Sequence, residues 1–249
     1  MSQISEQADN HKEEEVLIPA NLWNKEVLID AKLIENNLLE IKESIAPCKP
    51  KIIGVTKYFG LDAIVKGYQA GLRDFGESRV ADAIQKIDCL PSEIKKDAKF
   101  HFIGHLQTNK AEKVVKYFDY IHSIDSLKLA SIVSNTACRL NKREKVLLQV
   151  NIANEEQKFG YQKNELKKDF QEILKLEGLE VIGLMCMAPL QADFNELRDI
   201  FGSLRNFRDE LENDYGVELP ELSMGMSNDY KLAVAEGATM IRIGRKLFK

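Results

Sequence analysis

The stretch KIIGVTKYFGLDAIVKGYQAGLRDFGES (51–78) decides the fold class. Its first part, KIIGVTK (51–57), is apolar and rich in β-branched residues, which predicts a strand. LDAIVKGYQAG (61–71) has the apolar spacing of a helix that ends at Gly71, and RDFGES (73–78) predicts a second short strand. A strand, a helix and a strand in succession are typical of a parallel sheet.

The same alternation continues to the end of the chain, and a helix beginning near Trp23 and ending before Pro47 precedes it. The eight predicted strands are 51–57, 73–78, 99–104, 120–125, 144–152, 179–188, 219–224 and 239–244. The helices between them are 61–71, 79–90, 109–118, 126–140, 164–178, 195–216 and 228–237. Eight such units predict an α/β fold that is a single (β/α)8 barrel of the TIM type with an extra N-terminal helix. An open, doubly wound sheet is the alternative.

Composition excludes several classes of protein. The 249 residues carry a net charge of -4, so there is no basic excess to neutralise a nucleic-acid backbone. No apolar run approaches the ~20 residues of a membrane helix, and the polar, acidic N-terminus does not resemble a signal peptide. We therefore predict a cytoplasmic protein that contacts neither nucleic acid nor membrane. We also expect a monomer, with a flexible leader at 1–18 and the barrel at 19–249.

The loops after the carboxyl ends of the strands carry the site in barrels of this type, and those after strands seven and eight usually bind phosphate. Here they are rich in serine and glycine, and Ser227 adds a hydroxyl to the backbone N–H groups. The alternative is a tight turn with an N-cap. Lys57 closes an apolar strand, where its amine is a candidate nucleophile for an aldehyde, unless it extends into solvent. A lysine opposite a phosphate site suits pyridoxal phosphate or a sugar phosphate.

Other polar residues are less decisive. Arg242 lies in a strand that otherwise reads Ile-x-Ile, where burial is costly without a partner; a salt bridge at the rim is the alternative. His101 and His105 have the spacing of helical zinc ligands, but they lie at a strand end, and the four cysteines form no close pair. We expect no metal site. Four methionines are expected to pack at the barrel mouth, namely Met185, Met187, Met224 and Met226.

Six segments in order resemble the YggS/PROSC family of pyridoxal phosphate homeostasis proteins, and the resemblance runs from about residue 23 to 248. They are IIGVTK (52–57), DFGES (74–78), KFHFIGHLQTNK (99–110), VNIANEEQKFG (150–160), GLMCMAP (183–189) and ELSMGMSNDYKLAVAEGATMIRIG (221–244). The family is similar in fold to the N-terminal barrel of alanine racemase, which is fold type III among pyridoxal phosphate proteins. The cofactor implied by the resemblance is therefore pyridoxal 5'-phosphate.

The resemblance also implies roles for particular residues. Lys57 matches the lysine that forms a Schiff base with the cofactor, and Arg242 matches the arginine that faces the pyridine nitrogen. The cofactor-binding residues it implies are Lys57, Ser78, Met224, Ser227, Arg242, Gly244 and Arg245, the phosphate falling to Ser227, Gly244 and Arg245. Two of these depart from the family pattern, since Ser78 replaces its usual asparagine and Arg245 its frequent threonine. Both changes bear on cofactor affinity.

The implied function is intracellular buffering or delivery of the cofactor, with pyridoxal phosphate-dependent apoenzymes as recipients. The alternatives are a pyridoxal phosphate-dependent enzyme such as an amino-acid racemase, and a Schiff-base aldolase with Glu77 as proton relay. A racemase needs an acid/base group on each face of its substrate, and the sequence stops at Lys249, directly after strand eight. We therefore expect that the protein is not an enzyme and has no catalytic residues. The alternative is that Tyr58 or Tyr230 acts as a local acid/base group.

Overall fold

Eight parallel strands close into a barrel in the computed structural model, which describes residues 29–153, 155 and 159–249. Each strand pairs with the next along the chain, and the eighth pairs with the first. The strands are β1 Lys51–Val55, β2 Asp74–Glu77, β3 Lys99–Phe102, β4 Tyr120–Ile124, β5 Glu144–Gln149, β6 Leu179–Met185, β7 Glu221–Met226 and β8 Met240–Ile243. The predicted (β/α)8 barrel is confirmed, and the open sheet is wrong.

Ten α-helices surround the barrel in the described part of the chain. They are α1 Ala31–Ser44, α2 Leu61–Gln69, α3 Val80–Asp88, α4 Ser92–Asp97, α5 Ala111–Tyr117, α6 Leu127–Arg139, α7 Lys163–Leu174, α8 Phe194–Tyr215, α9 Tyr230–Ala235 and α10 Arg245–Phe248. The sequence did not indicate α4 or α10, because four to six residues are too few to show a helical period. The predicted leader 1–18 lies outside the described residues, so the boundary at residue 19 stays a prediction.

Local signals set the helix ends as the sequence predicts. The Ser126 hydroxyl accepts a hydrogen bond from the Leu129 N–H at 3.3 Å and so caps α6. Gly71 follows α2 with φ of +92°, a left-handed conformation that a side chain would strain. Among the described residues no helix combines the length and apolarity needed to cross a membrane.

Apolar side chains pack on both faces of the strands. The larger core lies between the strands and the helices and includes Phe75, Phe102 and Phe170. A small cluster in the barrel interior consists of Ile53, Leu147, Ile182, Met185 and Met240. The interior is thus packed, as in other barrels of this type.

Candidate functional site at the barrel mouth

Lys57 follows β1 at the carboxyl end of the barrel and is half-buried. Its Nζ lies 5.1 Å from the centroid of the Tyr58 ring. No carboxylate of the described residues lies within ion-pair distance of this ammonium group. The amine is therefore not committed to a salt bridge and is available to a ligand in the mouth.

A buried ion pair holds the backbone immediately before Lys57. Lys86 Nζ lies 2.7 Å from Glu77 Oε1, with only 7% and 0% of the two side chains exposed. Lys86 also donates a hydrogen bond to the Thr56 carbonyl at 2.9 Å, and the Thr56 hydroxyl donates to Glu77 Oε1 at 2.7 Å. Glu77, the candidate proton relay of the aldolase alternative, therefore fixes β1 to β2 through a buried and ion-paired Oε1.

The ends of β7 and β8 meet at Ser227 and Gly244. β7 continues through Met226, two residues beyond its predicted end, and Ser227 is the first residue after it. The Gly244 N–H donates to the Ser227 hydroxyl at 3.3 Å, and both residues are half-buried. Gly225 has φ of +91°, and a Cβ there would lie 2.6 Å from Ala233 Cβ, so this approach to α9 requires glycine. A hydroxyl and backbone N–H groups at one point can hold an anion.

Arg242 lies inside the barrel, with only 4% of its surface exposed. One guanidinium nitrogen donates to Ser223 Oγ at 2.6 Å and another donates to the Cys186 carbonyl at 2.9 Å. Burial lowers the pKa of the guanidinium from its ordinary value. The alternative of a salt bridge at the rim is therefore wrong.

Strand order brings these residues to one side of the mouth. β1 and β8 are neighbours, with Ile53 opposite Arg242 and Gly54 opposite Ile243. A Cβ on Gly244 would lie 3.6 Å from the Val55 carbonyl, so Gly244 follows the end of β1 closely. The amine after β1, the cation in β8 and the Ser227–Gly244 pair therefore share one side of the barrel.

The other three predicted residues are placed differently. Ser78 is half-buried after β2 and lines a cavity of about 340 Å³ together with Arg79, His105 and Lys110. Arg245 is exposed at the start of α10, directly after Gly244, whose N–H bonds to Ser227. Met224 is fully buried in the core between strands and helices. Its side chain is not part of the mouth, so its contact with a cofactor would be through the main chain.

The expected cluster of methionines at the mouth does not form. Met185 belongs to the interior cluster and Met224 to the outer core, while Met187 is exposed and Met226 is half-buried. For Met224 the reason is the alternation along β7: Ser223 faces the interior, so the next side chain faces the helices.

The two histidines considered as zinc ligands point to different places. His105 stacks on Phe159, with ring centroids 3.6 Å apart, while His101 lies inside the barrel. Among residues 29–153, 155 and 159–249, no group of three or more histidine, cysteine or acidic side chains is placed to hold a metal ion. Sequence reasoning missed His122, which contacts His101. The sequence signal that could have identified it is a histidine in the middle of each of two successive apolar strands.

Comparisons with known proteins show which proteins this chain is similar to. The profile of the alanine racemase N-terminal domain family matches residues 29–249. The pyridoxal phosphate homeostasis protein of Synechocystis is 42% identical over 208 residues, covering 83% of this chain and 94% of the relative. That of Aquifex aeolicus is 39% identical over 198 residues, covering 80% and 86%.

Solved structures show the same similarity. PipY of Synechococcus elongatus with pyridoxal phosphate bound has a TM-score of 0.80 and 38% identity, covering 87% of this chain and all (100%) of PipY. An alanine racemase of Clostridium difficile has a TM-score of 0.72 and 17% identity, covering 88% of this chain and 57% of the racemase. That second likeness is one of fold alone.

Proposed function

The chain belongs to the YggS/PROSC family of pyridoxal phosphate homeostasis proteins, and we propose from that premise that it binds pyridoxal 5'-phosphate and buffers or delivers it to apoenzymes. One observation carries the proposal: the Lys57 amine, the Ser227–Gly244 pair and the Arg242 guanidinium share one side of the barrel mouth. Their chemistry suits the aldehyde, the phosphate and the ring nitrogen of this cofactor.

The residues present fit the cofactor. Ser227 and the N–H groups of Gly244 and Arg245 would hold the phosphate, and the resemblance adds Ser78 and Met224 to the residues that contact the cofactor. When bound, the cofactor supplies an aldehyde that bonds to an amine and a ring that withdraws electrons from an attached amino acid. Arg242 is only a hydrogen-bond donor, so beside the ring nitrogen it favours the unprotonated ring and weakens that withdrawal. This favours storage of the cofactor over turnover.

The two tyrosines that would support an enzyme are poorly placed for it. Tyr58 is 67% exposed, and its ring lies over the Lys57 ammonium group. Tyr230 is buried, and its hydroxyl lies 2.9 Å from Ser44 Oγ in α1, on the outer side of the barrel. Neither group has the environment of a base facing a substrate. We accordingly propose a carrier rather than a racemase, acting as a monomer in the cytoplasm without nucleic acid or membrane.

Covalent labelling tests the proposal. We expect pyridoxal phosphate bound to the purified protein to be fixed by borohydride and the adduct to map to Lys57 by peptide mass analysis. Lys57→Ala should lose the adduct, and Lys110→Ala, in the neighbouring cavity, should retain it. An adduct at Lys110 or Lys66 would contradict the assignment of the site.

The same loaded protein distinguishes a carrier from an enzyme. We expect it to transfer cofactor to an apoenzyme and to leave the Cα hydrogen of L-alanine unexchanged in deuterated water. Rapid exchange that disappears in Tyr58→Phe would overturn the carrier proposal in favour of a racemase.

Ser227→Ala should weaken cofactor binding. A lost hydrogen bond costs about 0.5–3 kcal/mol, from a neutral partner to a charged one, which corresponds to a rise of roughly 2- to 150-fold in the dissociation constant. Absorbance titration measures this change. Ser203→Ala, in the middle of α8, is the matched control and should bind as the unmodified protein does. Equal affinities for both variants would place the phosphate elsewhere.

A further inference from the structure

Five polar side chains form a continuous hydrogen-bonded chain through the barrel interior. Asp74 Oδ1 lies 2.9 Å from His101 Nε2, and His101 Nδ1 lies 2.9 Å from His122 Nε2. His122 Nδ1 lies 2.9 Å from Ser223 Oγ, which accepts from Arg242 at 2.6 Å. Because β4 and β7 are not neighbours, the bond from His122 to Ser223 crosses the interior.

The two ends of this chain fix its direction. A guanidinium only donates and a carboxylate only accepts. Ser223 Oγ therefore accepts from Arg242 and donates its own hydrogen to His122 Nδ1. The Nε2–H of His122 then donates to His101 Nδ1, and the Nε2–H of His101 donates to Asp74. The reverse direction would place an unprotonated ring nitrogen of His101 against the Asp74 carboxylate.

Burial supports neutral histidines in this arrangement. Both rings are fully buried, and burial lowers the pKa of His101 and lowers that of His122 well below its ordinary value. The hydrogen bond to Asp74 raises the pKa of His101 and so opposes the effect of burial. The pKa of His122 is lowered further by the nearby His101, Arg242 and Lys51. Lys51 Nζ lies 4.0 Å from Asp74 Oδ1, at the amino end of the barrel. A neutral imidazole donates from one nitrogen and accepts at the other, as the chain requires.

We propose that one chain of hydrogen bonds orients Arg242 from the opposite end of the barrel. The positioning residues in this chain are Asp74, His101, His122 and Ser223, and both histidines are neutral Nε2–H tautomers. The inference rests on the proposed function, since Arg242 is the group expected at the ring nitrogen of the cofactor. Asp74 is the first residue of β2, at the amino end of the barrel, whereas Arg242 is the third residue of β8. A change at the amino end of the barrel should therefore alter binding at its mouth.

Histidine tautomers test the chain in the cofactor-free protein, independently of any ligand. In 15N-labelled protein at neutral pH, we expect the resonances of His101 and His122 to show that Nε2 carries the hydrogen in both rings and that Nδ1 carries none. In Asp74→Asn the Arg242 end alone still fixes the direction, because the amide can either accept or donate, so we expect resonances of the opposite tautomers to appear beside the original ones. A protonated His122 Nδ1 in the unmodified protein would overturn the proposal.

Cofactor affinity tests the link to the mouth. Pyridoxal phosphate binding to Asp74→Asn should weaken by roughly three- to thirtyfold, the scale of coupling through packed networks. Asp97→Asn is the matched control: this exposed carboxylate pairs with Arg73 near the same end and has no contact with the chain, so binding should stay unchanged. Unchanged affinity of Asp74→Asn with altered tautomers would overturn the positioning role.

Ser223→Ala breaks the chain at a second point, next to Arg242. We expect a similar loss of affinity, and a double variant with Asp74→Asn should bind no more weakly than Ser223→Ala alone, because both changes interrupt one path. Additive losses would overturn the proposal. If the unmodified protein binds no pyridoxal phosphate, the proposed function fails while the tautomers still decide whether the chain exists.

Discussion

Lys86→Met should lower the free energy of unfolding by about 3–5 kcal/mol, the cost of removing one partner from a buried ion pair. Lys86 is nearly enclosed, and its Nζ contacts both Glu77 Oε1 and the Thr56 carbonyl. Methionine preserves the apolar stem but leaves the Glu77 carboxylate buried, with the Thr56 hydroxyl as its remaining hydrogen-bond donor among the described residues. Urea denaturation followed by circular dichroism measures the change.

Two variants separate this ion pair from a general effect of losing a lysine. Lys128→Met, at an exposed position of α6, should change stability by no more than about 0.5 kcal/mol. Glu77→Gln combined with Lys86→Met should recover part of the loss, because no uncompensated charge then remains. Equal stabilities for Lys86→Met and Lys128→Met would contradict the interpretation.

The same ion pair links stability to the candidate site. Thr56 directly precedes Lys57, and its hydroxyl and its carbonyl both bond to the pair. One buried network thus holds the backbone before the lysine, and the interior chain from Asp74 holds Arg242. Lys57 and Arg242, the two cationic groups expected to contact the cofactor, are thus fixed by contacts from different strands. The two groups are therefore held in a defined arrangement before any ligand binds.

Strand and helix alternation made the barrel predictable, because apolar runs and glycine or serine helix ends are local signals. KIIGVTK (51–57) and TMIRIG (239–244) both contain observed strands, although their ends lie one or two residues inside the predicted ones. The sequence also indicates the residues at the strand ends, since the loops after parallel strands meet at one edge. Their proximity at the mouth follows from the closure of the barrel.

The polar interior was not predictable in the same way. Lys86 lies in a helix with charged residues at several positions, where a lysine is typical of a solvated surface. Its burial goes with contacts to Glu77 and to the Thr56 carbonyl, which are distant in sequence. His122 contacts Ser223 across a separation of 101 residues, which no local pattern encodes. Met224 faces the helices because Ser223 beside it faces the interior, and that inward position of Ser223 is fixed by tertiary contacts rather than by a local pattern.

The carboxyl of Glu144 is a second buried ionisable group with a large expected effect on stability. Glu144 begins β5 and is fully buried. Lys142 Nζ lies 2.7 Å from its Oε2, but neither carboxylate oxygen accepts a well-aligned hydrogen bond from the described residues. Burial raises the pKa of Glu144 from 4.5 to about 7, against the opposing effect of Lys142. The native state therefore retains this proton at a pH where the unfolded chain has released it.

The sign of the pH dependence follows from this difference. Below pH 4.5 both states are protonated and the group contributes no penalty. Between pH 4.5 and about 7 the native state binds more protons than the unfolded chain, so stability falls as pH rises, and it levels off above the native pKa. At about 1.4 kcal/mol for each pH unit, the loss reaches about 3 kcal/mol.

Glu144→Gln should abolish this loss, because a neutral amide stays uncharged throughout the range. We expect the variant to match the unmodified protein near pH 4 and to exceed its unfolding free energy by up to about 3 kcal/mol at pH 8. Glu112→Gln, whose side chain is exposed on α5, should show no such divergence. Because the other titrating groups are shared, the difference between the two stability curves isolates Glu144. A constant difference across pH 4 to 8 would mean that the pKa of this carboxyl is the same in the native and the unfolded states.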